Sequence, residues 1–176
     1  ARSLEIFARL TAKDASNSGW QSEYAAARTE QAAETVAANP TEARAQAQAA
    51  LAVLEPLRAK QPDSRDLVLA TAGAKMVLAE VTADPQASAS LRGDALKMIQ
   101  AQTAGRGDPR LLALQIEALL ALGRQAEAAP LLQQLWKSGY RDPALLVALR
   151  SRHIDFPANP AFSQRLAKTM RTTDAD

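Results

Sequence analysis

The sequence contains no cysteine and only one histidine in 176 residues. Without cysteine, the chain has no disulfide framework, no thiolate nucleophile and no zinc ribbon. With one imidazole, it cannot assemble a zinc site from several histidines. The sequence therefore predicts no metal site and no cofactor.

Residues that favour β-sheets are also scarce. Valine and isoleucine together number 10, and aromatic residues make up 4% of the chain. Alanine and leucine, which lose least on entering a helix, number 40 and 23. This composition argues against a sandwich, a barrel or a parallel-sheet enzyme, and it predicts an all-α fold.

The chain has neither a strong net charge nor a long apolar run. Lysine and arginine number 21 against 19 acidic residues, for a formal charge of +2. No apolar stretch approaches the ~18 residues of a membrane span, so we expect no membrane insertion by this segment. Seven basic and two acidic residues lie between Leu135 and Arg171. We interpret this local excess as an ordinary cationic cap rather than a nucleic-acid site, because no nucleic-acid motif accompanies it.

Apolar residues recur at helical spacing between turn residues, which predicts about nine helices. Ser18 and Thr41 are the predicted N-caps of the second and third helices, and Pro56 predicts a kink or a break. Asp84-Pro85 and Asp108-Pro109 predict helix starts. The predicted helices cover residues 3–11, 20–38, 41–60, 65–83, 90–103, 111–122, 125–137, 143–152 and 159–170, and the pattern of the fifth restarts at Asp84-Pro85.

A small residue followed by two large apolar residues, at positions i, i+4 and i+7, recurs along the chain. A small residue lets a neighbouring helix approach closely, and the large ones fill the groove beside it. This pattern resembles the tetratricopeptide repeat, a helix-turn-helix unit that stacks into an α-α superhelix. The matching triplets are Ser3, Phe7 and Leu10; Ala50, Leu54 and Leu57; Ala128, Leu132 and Leu135; and, in part, Ala95, Ile99 and Gln102.

The resemblance implies a single domain of degenerate tetratricopeptide-like hairpins over residues 1–176. In this division, residues 1–13 form a leading half-repeat and residues 142–170 form capping helices. The repeats between them are 18–62, 64–105 and 108–139. A non-repeating bundle of helices with the same hydrophobic pattern is the alternative.

The segment Ser3 to Gln21 resembles the degenerate tetratricopeptide arrays appended to bacterial signalling proteins, such as transmembrane serine/threonine kinases and winged-helix regulators. The resemblance implies a sensor or docking module. With a kinase parent it would be periplasmic, outside the inner membrane, and with a regulator it would be a cytoplasmic adaptor. Because the sequence is already helical near Ala1 and does not begin with methionine, we expect a fragment of a larger protein.

In such arrays the first helix of each repeat lines a concave groove that binds extended or helical peptides. Carried onto this sequence, the groove positions are Asp66, Leu69, Met76, Arg110, Glu117 and Leu120, with Gly73 and Ala113 between them. Alternatively, the apolar members of this set are simply core. Chaperone-binding members clamp a carboxylate with lysine and asparagine. Ser22, Ala26 and Gly73 stand near those places here, which argues against that role.

Catalytic residues are not evident in the sequence. Ser151, His153 and Asp155 are too close in sequence to converge as a triad, so we interpret His153 as a helix C-terminal residue. The sequence predicts a non-catalytic domain that binds a protein or peptide partner, or acts as a sensor. Self-association, as a homo-oligomer or scaffold, is the second hypothesis.

Overall fold

The computed structural model describes residues 2–103, 107–140, 143–151, 153 and 154, and within these ranges all regular secondary structure is helical. The predicted all-α class is confirmed. The predicted helix 159–170 lies outside the described residues. The eight described helices are α1 (Arg2–Lys13), α2 (Ser18–Thr35), α3 (Pro40–Lys60), α4 (Arg65–Glu80), α5 (Pro85–Thr103), α6 (Pro109–Ala121), α7 (Gln125–Lys137) and α8 (Pro143–Ser151).

Asparagines cap the starts of α2 and α3. The Asn17 side chain accepts from the N–H of Trp20 at 3.0 Å, and the Asn39 side chain accepts from the N–H of Glu42 at 3.1 Å. The predicted caps, Ser18 and Thr41, were therefore wrong by one and two positions. An asparagine oxygen satisfies a free N–H of the first turn as well as a hydroxyl does. After Asn39, Pro40 also suits the first helical position.

The two Asp-Pro starts and the glycine ends are confirmed. Asp84 accepts from the backbone of Ala87 at 3.0 Å, and Asp108 accepts from the N–H of Arg110 at 2.9 Å. Gly123, with φ of 73°, ends α6. Its N–H donates to Leu120, and the next N–H donates to Leu119. This pair of bonds requires the left-handed conformation that glycine adopts without strain.

Helix α3 continues through Pro56, so of the two predicted outcomes, a kink or a break, the break does not occur. Proline deprives the carbonyl of Ala52 of its donor. Both Ala52 and Pro56 are exposed, so water can satisfy that carbonyl.

The helices of residues 2–140 pack in an alternating order. Helix α4 contacts both α2 and α6, and these three helices form what we call the central layer. Helix α3 packs against α2 and α4, and α5 packs against α4 and α6, while α1 and α7 each flank one end. In the described part of the chain, no flanking helix contacts another flanking helix. The fold is thus helical and repeat-like. In the central layer, each helix contacts the helix two places away in chain order, α2 with α4 and α4 with α6.

The small residues of the sequence pattern lie where helices meet. Ala50 and Ala95 are 0% exposed, and Ala128 is 2% exposed. Ala50 belongs to a cluster with Leu54 of its own helix and Leu67 of α4, whereas Ala95 packs with Ile99 of its own helix and other core residues from α4 and α6. The alanines admit close approach, and the neighbouring large side chains fill the space that remains.

The chain forms two compact units, Ala1–Tyr140 and Arg141–Asp176. The second contains α8, whose Leu145 and Leu149 are buried. His153, with φ of 53°, follows α8, and the N–H of Ile154 donates to Leu149 at 3.1 Å. This bond ends the helix, as the C-terminal interpretation of His153 requires. Asp155, the third member of the rejected triad, lies outside the described residues.

Candidate functional site

The predicted groove residues all lie on the central layer, on α4 and α6. The central layer is closely packed where α2 meets α4: a Cβ built on Gly73 would lie 3.7 Å from the Thr29 Cγ2 atom. Gly73 is partly exposed. The backbones of these two helices are therefore near each other beside a surface that solvent reaches.

Two of the predicted residues, Asp66 and Arg110, are brought together by the packing of α4 on α6. The Arg110 guanidinium lies 3.2 Å from the Asp66 carboxylate and 3.0 Å from the Asp108 carboxylate. The hydrogen bond from Arg110 holds the pKa of Asp108 below its ordinary value near 3.8, and the same bond raises the pKa of Arg110. Asp66 is largely exposed and Asp108 is not, so the Asp108 pair is the better shielded.

The apolar members of the predicted groove differ in exposure. Leu69 and Met76 are partly buried and pack against the core cluster that contains Ile99. Leu120, in contrast, is only 4% exposed, so it belongs to the core and cannot reach a partner in this structure. Glu117 is partly buried. Of the six predicted groove residues, Leu120 is the one whose side chain is buried.

A cavity of about 200 Å³ lies on the central layer, between the N-terminal parts of α2 and α4 and the end of α3. Ala26, Leu57, Leu67 and Ala70 give it apolar walls. Glu23 of α2 and Asp66 of α4 contribute carboxylates to the same lining. A space with apolar walls and acidic groups can enclose an aliphatic chain and a positive charge.

The sequence did not mark Glu23 as a site residue. A signal was present, because Ser22 and Ala26, on either side of Glu23 in the chain, stand near the positions of the carboxylate clamp. Both line the cavity, as does Ser18, where α2 begins. The cavity forms only where the end of α3 packs against α2 and α4. The sequence of α2 alone therefore does not show that Glu23 lines a cavity.

Within the ranges that the structure describes, no group of three or more histidine, cysteine, aspartate or glutamate side chains could hold a metal ion. No helix in these ranges has the length and hydropathy needed to cross a membrane. Most of the predicted basic cap, at 141, 152, 165, 168 and 171, lies outside these ranges.

Comparison with family models, with curated proteins and with solved structures finds no match for this chain. The tetratricopeptide resemblance and the division into repeats therefore stay predictions. The central layer and its cavity are defined by the packing of the helices.

The charge on Asp108 is expected to stabilise the fold above about pH 4. Because folding lowers the pKa of this group, its contribution is complete above the ordinary value near 3.8 and is lost as the pH falls through the folded value. Asp108→Asn keeps a capping oxygen but removes the charge, and we expect it to cost about 1 kcal/mol near pH 7. Urea unfolding should show this difference shrinking near pH 2. An equal difference at both pH values would contradict the role of the charge.

Proposed function

We propose that this domain is a non-catalytic module that binds a peptide segment of a partner protein on the exposed side of the central layer. One observation carries the proposal: Leu69 and Met76, two large apolar side chains of α4, stay partly exposed on the helix whose first turn carries Asp66, the partner of Arg110. Apolar anchors supply buried area on binding, and flanking polar groups fix the register of the bound segment.

The packing of the layer supports this proposal. Leu69 and Met76 are held against Val68, Ala72 and the rest of their core cluster, so little side-chain freedom would be lost when a peptide covers them. Anchors that are fixed before binding lose less entropy on association than mobile ones. The charged pair joins the N-terminal ends of α4 and α6, which places polar groups at one end of the apolar surface.

A sensor role in a bacterial signalling protein, and a periplasmic location, are part of the same proposal. They are supported only by the resemblance of residues 3–21, and a cytoplasmic adaptor is the alternative. Cell fractionation of the tagged parent protein tests the location. Recovery of the protein in the periplasm or on the outer side of the inner membrane is the expected result, and recovery in the cytosol would contradict it.

The binding face is tested by a pair of methionine substitutions. Peptides selected from a random display library on the wild-type protein are expected to bind Met76→Asp at least about tenfold more weakly, because a carboxylate replaces an apolar anchor. Met98→Asp is the matched control, since Met98 packs against the same core cluster but lies on α5. Fluorescence anisotropy gives the Kd, and circular dichroism verifies that both variants fold.

Two outcomes would overturn this proposal. One is an equal loss of affinity in the Met76 and Met98 variants, which would show that the effect comes from general destabilisation. The other is a set of selected peptides that binds both variants as tightly as the wild type. Light scattering of the wild type over a range of concentrations separately tests self-association.

A further inference from the structure

The cavity between α2 and α4 is too small for a typical small-molecule ligand. Its volume is about 200 Å³, whereas cavities for drug-sized ligands and cofactors span about 300–1,000 Å³. The volume equals that of about six or seven waters at their density in the liquid. A space of this size suits one amino-acid side chain.

The cavity walls specify the kind of side chain. Ala26, Leu57, Leu67 and Ala70 offer apolar surface to an aliphatic stem. At the same lining, Glu23 has no ion pair in the described part of the chain. Lysine and arginine combine an aliphatic stem with a cationic end, and they commonly bury the stem while the charge meets a carboxylate or water.

Three cations of the central layer have partners outside the cavity, and a fourth, Arg65 at the start of α4, is exposed and is not part of the cavity lining. Lys75 pairs with Glu55 of α3 at 2.9 Å, and Arg28 donates to Gln46 of α3 at 2.8 Å. Arg110 is held by two carboxylates. No basic residue contributes to the cavity lining. A cation entering the cavity therefore meets a carboxylate that is not neutralised by the layer itself.

The N-terminal ends of α2 and α4 lie near the cavity, and their partial positive charge disfavours a bound cation. A helix N-terminus acts as roughly half a positive charge, and the C-terminal end of α3 supplies roughly half a negative charge nearby. The three ends together come to about +0.5. Glu23 contributes a full negative charge, and Asp66, Arg110 and Asp108 together leave one more. Among the residues that line the cavity, the charged ones, Glu23 and Asp66, are both carboxylates, and their charge exceeds that of the helix ends.

We propose that this cavity binds the side chain of a lysine or arginine from the peptide ligand, with Glu23 as its main charged contact. This inference rests on the proposed function, because it names the residue type that the bound peptide presents. The aliphatic stem lies against the apolar walls, and the cationic group lies near the carboxylates of Glu23 and Asp66.

The test is an NMR titration of the ¹⁵N-labelled protein with n-butylammonium, which mimics a lysine side chain. We expect saturable shifts of the amides of Gly19, Ala26 and Ala70, with a Kd in about the millimolar range. The uncharged probe 1-butanol should bind more weakly at the same amides. Shifts that do not saturate, or that are largest outside the cavity lining, would overturn the proposal.

Two variants identify the charged contact. Glu23→Gln should weaken n-butylammonium binding about two- to fivefold, the effect of removing an ion pair to an exposed carboxylate. Glu5→Gln on α1 is the matched control, since Glu5 is exposed and the change in net charge is the same. Equal weakening in both variants, or no weakening in Glu23→Gln, would refute the assignment.

The display experiment separates this inference from the proposed function. If the selected peptides depend on Met76 but carry no basic residue and bind Glu23→Gln as tightly as the wild type, the peptide-binding role stands and the basic-residue assignment fails. If no selected peptide depends on Met76, the proposed function fails. The n-butylammonium titration still tests the cavity in that case.

Discussion

Leu54→Ala is expected to lower the free energy of unfolding by about 2–5 kcal/mol. Leu54 is 0% exposed and belongs to the cluster that joins α2, α3 and α4. Truncation removes the transfer free energy of the lost atoms and leaves a cavity that close-packed neighbours cannot fill. Urea unfolding followed by circular dichroism gives the change from the midpoint at constant slope.

The matched control for Leu54 is Leu10→Ala on α1. Leu10 is partly exposed, so part of its surface stays in contact with water in the folded protein. Its truncation should cost less than half as much as that of Leu54. Equal losses at the two positions would contradict the placement of the main core between α2, α3 and α4.

Ala50→Leu is expected to cost about 1–3 kcal/mol, even though it adds apolar surface to the core. Ala50 is fully buried beside Ala25 of α2 and Ala74 of α4, and a larger side chain there would push the helices apart. The same substitution at Ala52, two residues further along the chain and on the exposed side of α3, should change the stability by no more than about 0.5 kcal/mol.

The comparison of Ala50 with Ala52 isolates close packing from helix propensity, because both variants make the same change in the same helix. Thermal unfolding by circular dichroism gives the ranking, and urea unfolding gives the free energies. A stable Ala50→Leu variant, or an equally damaged Ala52→Leu variant, would show that small residues are not needed at the helix contacts.

The sequence predicted the all-α class and most helix ends because the signals for them are local. Asp108-Pro109 starts a helix and Gly123 ends one for reasons contained within one turn. The caps of α2 and α3 were misplaced because two good capping residues lie close together at each start, Asn17 with Ser18 and Asn39 with Thr41, and the asparagine is the cap in both cases.

Features that depend on contacts between helices were harder to predict. Ala25 and Ala32 had no assigned packing role in the sequence, yet they are 1% and 0% exposed. Ala25 packs with Leu54, and Ala32 packs with Ala47 and Val77. In a helix with so many alanines, the pattern of apolar residues does not distinguish a buried alanine from an exposed one.

In the candidate site, too, some features follow from the local sequence and others depend on contacts between helices. The tetratricopeptide resemblance implied that Asp66 and Arg110 share one groove, and the structure brings them to 3.2 Å. The resemblance also implied a groove position for Leu120, but the neighbouring helices bury its side chain in the core. Spacing along a helix fixes the side on which a residue lies. How deeply it lies depends on the neighbouring helices.

The most direct test of the proposed binding face is an NMR map of the ¹⁵N-labelled protein with a peptide selected on the wild type. The largest amide shifts should fall on the central layer, including Gly73 of α4, whose missing side chain leaves its backbone near the surface. Largest shifts on α3, α5 and α7, with α2, α4 and α6 unchanged, would contradict the proposal.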